Sequence, residues 1–135
     1  MGTGQPQLIP VDLAAAAAEL ADVFNDLSNV LDEFRIANLA PDTPRDKEIK
    51  AHAQALEDQS HRFTAESIGA ALQSIQADLA NIKTVTRQAK DQLKSLNDFS
   101  KAVCIATAAV GLGAAIAAGK PDSILSAADA LRQAL

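Results

Sequence analysis

Leu13, Ala17, Leu20, Phe24, Leu27, Leu31, Phe34 and Asn38 follow one another at spacings of 4, 3, 4, 3, 4, 3 and 4. An α-helix turns about 100° per residue, so this alternation holds one apolar seam on one side for more than three heptads. A strand cannot use it, because strand side chains change face at every residue. The pattern returns at Ile68, Leu72, Ile75, Leu79 and Ile82, and after a weak turn at Thr86 it continues through Ala89, Leu93, Leu96 and Val103. No stretch alternates apolar and polar residues with β-branched enrichment, and no Asn-Gly or Asp-Gly pair offers a hairpin turn. The expected fold class is all-α.

Breakers and caps divide the pattern. Asp12 is a natural N-cap, and a helix over 12–38 follows from it. Pro41 and Pro44 stop that helix, because each lacks a backbone donor and biases its predecessor away from helical geometry. Thr43 as N-cap, Pro44 as first residue and Asp46 in the first turn then open a second helix over 44–63, with sparse apolar positions Ile49, Ala53, Leu56 and Phe63. A five-residue step from Phe63 to Ile68 breaks the period near Thr64. No proline lies between 45 and 120, and Gly69 is the one glycine between 45 and 110, so the spacing predicts a single helix over 65–118. Such a rod is roughly 75 to 80 Å long at 1.5 Å per residue. Gly119, Lys120 and Pro121 form a stop, and a short last helix follows over 122–134 with Ile124, Leu125, Ala128 and Leu131 on one face.

The expectation is a flexible arm over 1–11 and one helical domain over 12–135. Its architecture is an elongated bundle or long helical hairpin with coiled-coil-like packing. Leu13 to Phe34 lie against the Ile68 to Val103 seam, and the short last helix folds back on the glycine-containing segment.

Residues 102–119 run for eighteen positions without a charge, the lower limit for spanning a bilayer. Val103, Ile105, Val110, Leu112 and Ile116 are their only large aliphatics, and together they supply about 1.5 to 3 kcal/mol of insertion free energy. Eight Ala and three Gly make up most of the rest and suit close helix packing better than loose lipid. A packed interior helix is expected here, with membrane insertion as the alternative. The chain also has no Trp or Tyr to anchor a membrane interface.

Asp12, Glu19, Asp26 and Glu33 recur every seven residues along the first helix. Lys83, Arg87, Lys90, Lys94 and Lys101 form a basic line further on, diluted by Asp91 and Asp98. The two lines are complementary, so pairing between them is the simplest use of both, within one chain or between two. The net charge of −5 and the lack of interleaved aromatics argue against nucleic acid as a partner.

Residues that carry chemistry are sparse. His52 and His61 each follow a carboxylate, Glu48 and Glu57, by four residues, but nine residues of helix set the two imidazoles on opposite faces. Cys104 is the one cysteine, expected as a buried inert thiol without an internal disulfide partner. There is no nucleophile elbow, phosphate loop or Cys/His cluster, so no catalytic residue, metal or cofactor is expected. The opening MGTGQPQLIP has neither basic nor apolar region of a cleaved leader, which leaves a cytoplasmic site or export by another route. The function read from these residues is a non-enzymatic helical interaction module of adaptor, chaperone-like or inhibitor type. It acts through its apolar seams and associates with itself or another helical protein. The alternative is a membrane-active protein that inserts 102–119 as a pore-forming-type component.

Overall fold

The computed structural model describes residues 10–135, all of whose regular structure is helical. Residues 1–9 of the expected arm lie outside the described residues. Pro10 and Val11 already belong to the first helix, because proline is well suited to a first helical turn. The helices are α1 (Pro10–Asn38), α2 (Pro44–Ser60), α3 (Ala65–Ser74), α4 (Leu79–Lys94), α5 (Phe99–Ala118) and α6 (Pro121–Ala134). A single 3-10 turn, Gln76–Asp78, joins α3 to α4.

The continuous helix expected over 65–118 is not formed. It breaks twice, at 75–78 and at 95–98. A straight rod of about 80 Å would lie beside an α1 only about 43 Å long, leaving nearly half its seam in water. At the first break the Ser74 hydroxyl turns back onto the Ala70 carbonyl, and the Asp78 amide closes a tight turn on the Ile75 carbonyl at 2.8 Å. At the second, Asp98 caps α5 by accepting from the Ser100 amide at 3.0 Å. The long hairpin is thus replaced by shorter helices that return on each other.

Their directions follow from the side chains that join them. Ser28 meets Ala53 and Arg35 meets Asp46, so α1 and α2 are antiparallel. Glu19 meets Lys83 and Asp26 meets Lys90, so α1 and α4 run parallel. Arg45 lies over the Phe99 ring and Gln59 reaches Val110, so α2 and α5 also run parallel. Lys101 meets Leu135, which sets α5 and α6 antiparallel. The five longer helices form a ring in the order α1, α2, α5, α6, α4, and α3 packs against α1, α5 and α6.

Inside the ring is one core. Leu20, Phe24, Leu27, Leu31, Ile49, Leu56, Ile68, Leu72, Ile82, Leu93, Ile105 and Leu112 are all under 2% exposed. Phe24 and Phe63 meet edge to face, with centroids 5.0 Å apart. The weak position in the repeat, Thr86, is fully buried, with its hydroxyl donating to the Ile82 carbonyl at 2.7 Å.

Candidate functional site

The seam residues are buried inside a single chain. Leu20, Phe24, Leu27, Leu31, Phe34, Ile68, Leu72, Ile75, Leu79, Ile82 and Leu93 lie in the core, while Leu13 and Leu96 at its ends are half-buried. The charge lines meet beside that seam. Lys83 Nζ lies 2.9 Å from Glu19 and Lys90 Nζ 3.7 Å from Asp26. The hydrogen bond and charge of Lys83, helped by Arg87, outweigh partial burial and hold the Glu19 carboxyl below its ordinary value. Glu33 and Lys94 line one shallow cleft at the far end of the pair. Lys101 leaves the line and donates to the Leu135 main-chain oxygen at 3.0 Å. Asp12 is exposed at the start of α1.

A second polar cluster sits at the α1–α2 corner. Asp42 takes a left-handed conformation, φ 61°, and its amide donates to Asp46 Oδ2 at 3.0 Å. The Asp46 amide donates in turn to Thr43 Oγ1, and Arg35 bridges Asp46 and Asp32 at 3.2 Å each. Burial raises the Asp46 carboxyl, but the Asp42 amide and the Arg35 guanidinium outweigh it and hold the group below its ordinary value. The capping role of Thr43 is written in the sequence. Arg35 is not marked there, because nothing local says which carboxylate eleven residues away it will meet.

The uncharged helix α5 has two different sides. Its large residues Ile105, Leu112 and Ile116 are buried, and Val103 and Val110 are half-buried. Cys104, Thr107, Gly111, Ala114 and Ala118 face outward. Cys104 is therefore exposed and not the buried thiol expected, since it sits on the side of the helix that neither α2 nor α6 covers. Toward α2 the fit is close. A Cβ on Gly113 would fall 1.9 Å from Gln59 Oε1 and 2.9 Å from Phe24 Cε2, so only glycine admits the Gln59 amide, which donates to the Val110 carbonyl at 3.0 Å.

Toward solvent, α5 and α6 leave a shallow furrow. One end is a hollow of about 570 Å³ lined by Val103, Cys104, Thr107, Ala108, Ala130 and Ala134, with Lys101 and Gln133 at its edge. The other, about 450 Å³, is lined by Gly111, Ala115, Ser123, Ser126 and Ala127, with Asp122 at its edge. Each hollow has one charged residue, a cation at one end and an anion at the other. Gly119, in the left-handed region at φ 68°, makes the tight corner between the helices. The Gly119 amide donates to Ile116 and the Lys120 amide to Ala115.

A second cleft, between α4 and α6, has a floor of Ile82, Val85 and Ala128 and a rim of Asp78, Asn81, Asp129 and Arg132. Asp129 there is engaged by both Arg132 and Gln133. Among the described residues no group of three or more His, Cys, Asp or Glu is placed to hold a metal ion. Comparison with protein-family profiles, curated proteins and solved structures returned no match to this chain.

Proposed function

We propose that this chain is a non-enzymatic helical interaction module of adaptor, chaperone-like or inhibitor type, which associates with itself or with another helical protein. The heptad residues bury their apolar surface inside the ring, where α1 and α4 lie parallel and are flanked by Glu19–Lys83 and Asp26–Lys90. The surface offered to a partner is accordingly the α5–α6 furrow and not the seams themselves. One observation carries the reading: a helix-length, nearly uncharged outer face built of Ala, Gly, Ser, Thr and Cys, to which another backbone can approach closely. Affinity capture from the native source, together with light scattering of the purified chain, tests it. A stoichiometric protein partner or a self-associated species is the expected result; a chain that stays monomeric and captures nothing overturns it.

A membrane-active role is the second reading, favoured by α5 itself. It is 20 residues long with Lys101 as its one charged residue, which meets by length and composition the requirement for crossing a bilayer. Against it, the large aliphatics point inward, so insertion requires α5 to leave the ring. Leakage of dye from anionic vesicles separates the readings: the interaction module leaves them intact, and the insertion protein empties them unless 102–119 is removed.

A further inference from the structure

We propose that the α5–α6 furrow is the contact surface between two copies of this chain, packed antiparallel about a twofold axis near Thr107. The inference rests on the interaction reading and deepens it by naming the occupant. Two copies related by a twofold axis present the same patch to each other, so the patch must complement its own reverse.

The ends of the furrow do this. With Lys101 opposite Leu135, α6 residue Asp122 lies level with Ala114 of α5, and Lys120 lies level with Ile116. An antiparallel copy centred near Thr107 then brings Lys101 to the partner's Asp122. The same registration brings Asp98, at the start of α5, to the partner's Lys120. Lys101, half-buried, and Asp122, exposed, lie at the two ends of the furrow without being sealed under it, and Asp98 and Lys120 are exposed beyond them, at the starts of α5 and α6. A parallel arrangement sets each charge against its own like, at a cost in both affinity and orientation.

Size is consistent with a weak pair. α5 is about 30 Å long, and two neighbouring helices are roughly 20 Å wide, giving on the order of 600 Å² per copy. The total, about 1,200 Å², is the lower end for a specific interface, so a weak, concentration-dependent association is expected. The furrow has little to offer lipid, because it presents methyl groups and glycine while Ile105, Leu112 and Ile116 point the other way.

Sedimentation equilibrium of the full chain from about 1 to 200 µM is the first measurement, with the mass expected to rise from 14.0 kDa toward twice that value. Gly111→Glu places a charged side chain in the furrow. A Cβ there meets nothing within 4 Å, so the monomer keeps its helicity while the dimer is lost. Lys101→Glu and Asp122→Lys each weaken association by about tenfold, and the double exchange restores it. Cys104 lies level with the partner's Gly111 across the axis, so Gly111→Cys gives a disulfide-linked dimer on mild oxidation, whereas the native chain does not link. Positions 104 and 111 in one helix are about 10.5 Å apart along the axis, too far to bridge internally. A dimer indifferent to Gly111→Glu, or ready self-linking through Cys104 alone, overturns the furrow while leaving an interaction module in place. A monomer at every concentration that captures no protein overturns both, and vesicle binding abolished by Gly111→Glu assigns the furrow to lipid instead.

Discussion

Helices α1 and α5 both bury one apolar side in the same core, and they differ in what they show to water. α1 is charged on its outside, with Asp12, Glu19, Asp22, Asp26 and Glu33 spread along its length. α5 shows Cys104, Thr107, Gly111, Ala114 and Ala118. The inner faces differ too: α1 contributes Leu20, Phe24, Leu27 and Leu31, whereas α5 alternates Ile105, Leu112 and Ile116 with Ala102, Ala106, Ala109 and Gly113. Inward burial alone is thus a poor guide to role. The outward face distinguishes a helix designed to meet water from one that tolerates another backbone against it.

Four measurements break or sharpen that contrast. The largest effect is expected at α1's inner face, where Phe24→Ala removes a fully buried ring and its edge contact with Phe63. A loss of about 3 to 5 kcal/mol in urea unfolding is expected; under 1 kcal/mol would show that the core collapses around the gap. Next come two glycines of one helix. Gly113→Ala should cost about 1 to 3 kcal/mol because its methyl meets Gln59 and Phe24, whereas Gly111→Ala should stabilise by up to about 1 kcal/mol. Equal effects at the two sites would contradict the close α2–α5 fit.

The third concerns acid. Asp46 titrates lower in the folded chain than in the unfolded one, so its contribution is fully present above about pH 3.9 and is lost as pH falls through the folded value. Urea midpoints between about pH 5 and 2 should therefore fall more steeply for the native chain than for Asp46→Asn, and parallel curves would remove the Arg35–Asp46 link from the account. Glu19 follows the same sign, but its side chain is half in solvent. The smallest effect is accordingly the Glu19–Lys83 coupling, about 0.2 to 1 kcal/mol in a double-mutant cycle and weaker at high salt.

Much of the architecture can be read in the sequence for identifiable reasons. Pro41 and Pro44 end α1 at Asn38 and open α2, Thr64 caps α3, and Gly119 with Pro121 forms the corner before α6. These are local signals, each acting within a few residues. The breaks at 75–78 and 95–98 are less visible, because neither has Gly or Pro and the heptad count passes through them. Asp98 two residues before Ser100 is the cap signal that marks the second. Nothing comparable marks the first, where compaction against α1 decides. The candidate surface shows the same division. The absence of charge over 102–119 can be read directly, but which half of that helix turns outward depends on α2 and α6, and so does the exposure of Cys104.

The parallel run of α1 beside α4 has a kinetic consequence. Neighbours pointing the same way cannot be joined by a tight turn, so α1 waits for α2 and α3 to be laid down before Glu19 reaches Lys83, sixty-four residues on. The α1–α2 and α5–α6 corners close over short loops and are expected to assemble first, with this long-range contact expected last. Lys83→Ala should then hasten unfolding and leave the refolding rate nearly unchanged in stopped-flow measurements; a slowed refolding arm would place the contact in the nucleus.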